Sequence, residues 1–263
     1  MNIVLICIII FAIAVIMTMT GRGGGNFYVL VLVAAGQAMH QAATSAQFIL
    51  MLTAFAGMLV FQKNKTIDWK LALVIDPPTD IMAFVGGFFS CYASNASLKL
   101  VLAGLLVLAG FLMLIKVKER PIHTGRKFGY WHRNFQGQSY VVNLWYTIPI
   151  TAFAGLAAGA VGISGGSFKV PLMVLLCGVP MRIAVGTSSA MVAVTAMMGF
   201  IGHATQGHFD PKGAIPFAVI AVLGGLIGGK FALKTKPKKL KLIFAYTTLA
   251  AALFMIFNAF VTK

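Results

Sequence analysis

The sequence predicts an all-α integral membrane protein made of two homologous repeats of inverted topology, with 8 to 10 transmembrane or half-membrane helices in all. Three observations lead there. Of the 263 residues, 59% are hydrophobic and only 10% charged, whereas soluble domains carry charge on about a quarter of theirs. Apolar runs close to the roughly 20 residues that cross a bilayer recur along the whole length. The chain also resembles itself when shifted by about 142 positions.

In chain order, long apolar runs occupy residues 2–20, 42–61, 71–91, 98–115, 142–163, 185–203, 213–233 and 240–260. The runs 26–36 and 167–178 are too short to span, and either cross or re-enter. No charged side chain precedes Arg22, and no small-residue cleavage site follows the first run, so that run reads as mature structure and not as a signal peptide. Cys7, Cys91 and Cys177 are far apart, within or beside apolar runs. They read as packing residues, with neither a disulfide framework nor a metal knuckle indicated. The net charge of +16 falls mostly in loops between the runs. The preference of cytoplasmic loops for Lys and Arg accounts for it, so the lipid bilayer and not nucleic acid is the expected surrounding.

A shift of 142 lays Leu98, Lys99, Leu100, Ala103, Ala109 and Met113 over Leu240, Lys241, Leu242, Ala245, Ala251 and Met255. The same shift pairs Asp68 and Lys70 with Asp210 and Lys212, and Gly86-Gly87 with Gly228-Gly229. Shifts of 141 and 143 pair Gly21, Gly24, Gly25 and Phe27 with Gly162, Gly165, Gly166 and Phe168, and Thr44-Ser45 with Thr187-Ser188. The domain reading is therefore a first repeat over 1–116, a basic linker over 117–140 and a second repeat over 141–263. Loop charge sets the orientation. Clusters at Lys63 to Lys70, Lys116 to Arg133 and Lys234 to Lys241 share one membrane face only if each half crosses an odd number of times, which inverts the second half.

Each short run begins directly after a glycine cluster, "GRGGGN" in one half and "GISGGS" in the other. Irregular backbone at membrane depth is tolerated only inside protein or along a watery cavity, because lipid leaves free amides unsatisfied. The open N–H groups that begin a helix carry partial positive charge and attract anions, and glycine allows close approach to them. Two such helix starts would hold an anion from two sides. The ordinary alternative is that these glycines only let helices pack closely, and that is the preferred reading for Gly86-Gly87 and for Gly224 to Gly229.

"GAVGISGGSFKVPLMVLLCGVPMRIAVGTSSA", residues 159–190, resembles the signature of the sulfite exporter TauE/SafE family, with its Gly-rich turn, following proline and Ala-x-Gly-Thr-Ser segment. Gly162, Gly165, Gly166, Pro171, Pro180, Ala184, Gly186, Thr187 and Ser188 carry the likeness. The first half departs from it, with Leu30 where Pro171 stands and Ala43 where Gly186 stands. The resemblance implies a membrane transporter that exports, and sometimes takes up, small sulfur-containing anions.

The candidate substrate-binding residues are Gly23, Gly24, Gly25, Asn26, Thr44 and Ser45 in the first half, and Ser164, Gly165, Gly166, Ser167, Thr187, Ser188 and Ser189 in the second. Their amides and hydroxyls bind an oxyanion without a full counter-charge. Coupling candidates are His40, within the polar group "GQAMHQAATS", and Asp76 and Asp80, within "VIDPPTDIM". If the last segment is helical, the two carboxylates share a face four residues apart and mark a path for a coupled proton or cation. If the helix starts later, Asp76 and Pro77 sit in an interfacial loop as its beginning. Lys169 is a cation beside the second glycine turn, with snorkelling to a membrane face as its ordinary role.

The reading is a secondary transporter that moves sulfite, thiosulfate or an organosulfonate across the cytoplasmic membrane by alternating access. An anion channel is the nearest alternative. A membrane-embedded enzyme is the more distant one, because the sequence shows neither a clustered His/Cys/Glu set nor a nucleophile with its base. No metal or cofactor is expected. Which anion, which direction and which coupling ion the sequence leaves open.

Overall fold

A computed structural model describes residues 3–89, 95–114, 128–161, 166–204 and 209–261. Among these are ten helices: α1 (Ile3–Met19), α2 (Gly25–Ala34), α3 (Met39–Lys63), α4 (Trp69–Phe89), α5 (Asn95–Leu114), α6 (Leu144–Val161), α7 (Gly166–Leu175), α8 (Met181–Ala204), α9 (Pro211–Lys234) and α10 (Pro237–Val261). Both halves repeat one order, with a second helix of 10 residues among longer ones. Among the described residues, three segments are long and apolar enough to cross a membrane: Gln41–Lys63, Met181–Ile201 and Pro211–Lys234.

Local chemistry sets several of the boundaries. Gly36, at φ +96°, ends the first short helix, and Asn64 closes α3 by donating from Nδ2 to the Val60 carbonyl at 2.8 Å. The repeat shift brings the same cap to two helices. Asp68 Oδ1 accepts from the amides of Lys70 at 3.1 Å and Leu71 at 3.2 Å, and Asp210 Oδ1 accepts from Lys212 N at 3.1 Å. Pro211 follows at the first helical position, where its missing N–H costs nothing.

The chain forms two compact units, each drawing on both halves of the sequence. The first contains residues 1–67 and 185–235, that is α1, α2, α3, most of α8 and α9. Ile10, Ala14, Tyr28, Leu32, Ile49, Leu50, Val192, Ala193 and Phe217 form its core. Glycines bring α9 close to its neighbours. A Cβ at Gly224 would stand 2.9 Å from the Phe11 carbonyl oxygen on α1, and one at Gly225 would stand 2.7 Å from that of Thr53 on α3. The packing reading of these glycines matches that geometry.

The second unit contains residues 68–184 and 236–263, with α4 along α6, α5 along α10, and α7 against α5 and α6. Here the all-α expectation needs correction. A two-stranded antiparallel hairpin, β1 (Tyr130–Phe135) and β2 (Gln138–Asn143), closes through Gln136 and Gly137, both at positive φ. This is the two-residue turn that follows strand twist. Strand β2 runs through position 141, where the second repeat was drawn to begin, and helix resumes at Leu144. Residues 115–127 of the basic linker lie outside the described residues.

The hairpin grips the start of α4. Arg133 and Tyr140, directly opposite each other across the strands, both bond the fully buried Asp68 carboxylate, Arg133 through Nε at 2.8 Å and a terminal nitrogen at 2.9 Å. Burial pushes the Asp68 carboxyl up, but the bonds from Arg133, Tyr140 and the Leu71 amide, with the guanidinium charge, outweigh it and hold it below the usual carboxylate range. Burial, then the Asp68 bond and charge, raises the Tyr140 phenol and keeps it protonated. Because the folded state binds the Asp68 proton less well than the unfolded chain, the latch contributes in full at neutral pH. Its contribution is lost as pH falls through the depressed folded value. Asp68→Ala is expected to destabilise the detergent-solubilised protein by about 3 kcal/mol, since it leaves Arg133 without its partner. A thermal unfolding series checks this, with a comparable loss expected for Arg133→Ala, which leaves the fully buried Asp68 carboxylate without its cation.

Candidate functional site

In the first unit, α1 ends in a turn that the chain makes by going left-handed three times, at Gly21 (φ +74°), Gly23 (φ +73°) and Gly24 (φ +84°). The Thr20 and Arg22 amides close on the Met17 carbonyl and the Gly21 amide on that of Thr18, which completes the helix end. Gly24 then serves as the cap residue of α2 without a side chain to fill the role, and its carbonyl accepts from Phe27 and Tyr28. Among the described residues, the amides of Gly23, Gly24, Gly25 and Asn26 make no backbone hydrogen bond. They are the open donors of a helix start.

Gly21 through Gly24 are buried, and Arg22 among them is only 4% exposed. Burying a guanidinium is costly, so a buried arginine is held by acceptors or negative charge. The sequence reading passed over Arg22, because it counted the residue only as the first charge after an apolar run. Burial is what distinguishes it.

The hydroxyl candidates divide. Ser188, on α8, donates to the Gly21 carbonyl at 2.9 Å, so its proton is committed to the turn and it positions the glycines. Ser189 stands 3.5 Å from the Ala54 carbonyl. A Cβ on Gly57 would meet both Ser189 Oγ, at 3.1 Å, and the methyl of Thr18, at 2.6 Å, so those two hydroxyl residues flank one spot near the end of α1. Thr18 Oγ is buried with no hydrogen-bond partner among the described residues. Thr187 is buried one residue before Ser188. Leu50, and not Thr44 or Ser45, faces Gly23 and Gly25 from α3. Ser45 and Thr44 are buried about 7.5 and about 9 Å nearer the start of that helix, at about 1.5 Å of rise per residue. The structure therefore does not bring them to the first turn. Ser45 Oγ also has no hydrogen-bond partner among the described residues. The side chains of Asn26 and His40 lie outside the described residues.

In the second unit, α7 starts at Gly166, while Ser164, Gly165 and the Ser167 side chain lie outside the described residues. The segment holding Asp76 and Asp80 is helical from Trp69, with Pro77 and Pro78 inside α4, so Asp76 is not an interfacial helix start. Lys169, on α7 and 2% exposed, donates to Asp76 Oδ1 and lies 3.7 Å from Asp80 Oδ1. It does not snorkel. Spacing along the sequence could not show this, because the partners are 93 residues apart.

An open cavity of about 360 Å³ lies elsewhere in the second unit, lined by Val74, Gly129, Tyr130, Trp131 and Leu144. None of the predicted site residues lines it. Among the described residues, no group of three or more His, Cys, Asp or Glu side chains is placed to hold a metal ion.

The family profile described as "Sulfite exporter TauE/SafE" matches residues 6–255. A "Probable membrane transporter protein YunE" of Bacillus subtilis is 28% identical over 77% of this chain and 75% of its own length. A "Probable membrane transporter protein" of Xylella fastidiosa is 31% identical over 44% of this chain and 45% of its own. A "Sulfite exporter TauE/SafE family protein 6" of Arabidopsis thaliana is 34% identical over 34% of this chain and 21% of its own. No solved structure matches significantly.

Proposed function

Because the chain belongs to the sulfite exporter TauE/SafE family and is a multi-pass membrane transporter, we propose that it carries a small sulfur-containing oxyanion, namely sulfite, thiosulfate or an organosulfonate, across the cytoplasmic membrane. Arg22 carries this reading. It places a buried cation in the glycine turn whose open amides begin α2, with the hydroxyl of Thr18 nearby in sequence on the last turn of α1. An oxyanion has the charge for the guanidinium and the lone pairs for the amides. Charge-assisted bonds of this kind are roughly twice as strong as neutral ones.

The turn is buried, so an anion reaches it only when packing around α1, α2 and α8 rearranges. That favours alternating access over a channel with a standing path. The repeated order of helices and the shared Asp68 and Asp210 caps support two homologous halves, and the loop charges support their inversion. In that arrangement the basic linker lies on the cytoplasmic side.

Uptake of labelled sulfite, thiosulfate, sulfate and methanesulfonate into vesicles holding the purified protein tests the reading. Saturable, mutually competing flux of the sulfur anions supports it. Flux of none overturns it, and ohmic anion current without saturation favours the channel. Ser188→Ala removes one hydrogen bond that positions the turn and is expected to raise the half-saturation concentration by about fivefold, the equivalent of about 1 kcal/mol. Thr187→Val, which removes a candidate donor, is expected to act in the same direction.

A further inference from the structure

We propose that Lys169, Asp76 and Asp80 form an exchange site at which the cargo anion and one proton are taken up together; this rests on the anion-transport reading above. Lys169 is the fourth residue of α7, where the helix start already favours negative charge, and its ammonium is buried at 2% exposure. Two carboxylates compete for it, Asp76 in direct contact and Asp80 at 3.7 Å with 37% of its side chain exposed. One ammonium satisfies one anion well. An arriving cargo anion is a third competitor at a place built for negative charge.

The exchange balances. Before it, the Lys169 ammonium and Asp76 carboxylate sum to zero. When a monoanion takes the ammonium, Asp76 is left part-buried with its charge uncompensated, which is costly, and an O–H bond forms on its carboxylate with a proton taken from the solvent's hydronium. Asp80, the more exposed carboxylate, stands one helical turn away and can relay the proton from solvent to Asp76. The neutral Asp76 and the ammonium–anion pair again sum to zero, so monoanion and proton move as an electroneutral pair.

The neighbouring elements add little to compete. The α6 helix, packed along α4, carries no Asp, Glu, Lys, Arg or His, and its one phenol, Tyr146, is exposed. The α7 helix carries only Lys169 as a charged group, and α4 itself adds Lys70 at its start. The α5 helix, which also touches α7, carries only Lys99, whose side chain lies outside the described residues. The arrangement is also placed where backbone can yield. Pro77 and Pro78 leave the Leu73 and Val74 carbonyls without their usual donors, and Gly155 on α6 admits the Thr79 backbone between the two carboxylates at close range.

Labelled methanesulfonate is the probe of choice, because it stays a monoanion across the working pH range, and labelled thiosulfate serves as a second cargo. With the membrane potential clamped, the wild-type protein should accumulate methanesulfonate about tenfold per unit of pH gradient, as one proton per anion requires. A trapped pH dye should record one proton entering with each anion. Asp76→Asn should lose that accumulation entirely while still exchanging internal for external labelled anion. Asp80→Asn should slow the proton-driven phase several-fold. Proton-independent transport by the wild-type protein, or gradient-driven accumulation that survives in Asp76→Asn, overturns the coupling proposal and leaves the transport reading standing. Absence of flux with every anion overturns both. The wild-type proton count stands on its own should a variant fail to insert.

Discussion

Arg22→Gln is expected to abolish saturable anion uptake at cargo concentrations that half-saturate the wild-type protein, while the variant still reaches the membrane. The residue is buried in the glycine turn, and glutamine keeps its reach and some of its donors but not its charge. Removing one partner of a buried, hydrogen-bonded charge pair costs about 2–5 kcal/mol, or between thirty-fold and several-thousand-fold in affinity. Arg22→Lys should restore part of the loss, because the charge returns without the planar fork that meets an oxyanion with two parallel bonds. A purely structural role predicts a different pattern. Stability would then fall in Arg22→Gln, while half-saturation in the surviving protein stayed unchanged. Uptake curves and thermal unfolding measured on the same preparations separate the two.

Gly21→Val should be at least as damaging, for another reason. At φ +74° a β-branched residue is strained by at least about 1–2 kcal/mol. Its Cβ would also stand 2.6 Å from the Val185 carbonyl oxygen and 3.1 Å from the Val185 Cα, and backbone cannot rotate away as a side chain tip does. Overpacking of that kind adds about 1–3 kcal/mol, so the sum is a large part of the 5–15 kcal/mol that holds an ordinary domain folded. The expected outcome is a sharply lowered yield of folded protein and no transport. Gly36→Ala is the matched control. It also sits at positive φ, but its Cβ would meet nothing within 4 Å, so only the conformational strain remains.

The positions of the helices were legible because each was written as its own apolar run. The short run drawn at 26–36 became Gly25–Ala34, and the glycines before it mark where the backbone had to turn. The Asp68 and Asp210 pairing found by shifting the sequence became two equivalent caps. The hairpin was readable in principle. YWHRNF and QSYVVN flank Gln136-Gly137, but they lie beside a basic loop whose charge drew the reading toward a basic linker.

What the sequence could not carry was contact across distance. Nothing near Lys169 in the chain names Asp76, and nothing near Asp68 names Arg133, 65 residues on. Thr44-Ser45 and Thr187-Ser188 look alike on paper, yet Ser188 is bonded to the Gly21 carbonyl and Ser45 sits along α3 from Leu50. Arg22 was hidden for the opposite reason. An arginine next to an apolar run is ordinarily a loop residue at the membrane face, and only its burial sets it apart.

The most direct test of the account is to locate the cargo itself. Selenosulfate, the selenium analogue of thiosulfate, can be diffused into crystals of the protein at a concentration that saturates transport in vesicles, and its selenium found by anomalous scattering. The account predicts a peak beside the Arg22 guanidinium whose oxyanion lies within about 3 Å of the Gly24 and Gly25 amides. An empty turn in a protein that demonstrably carries the anion would contradict it, whether or not a further peak lies at Lys169.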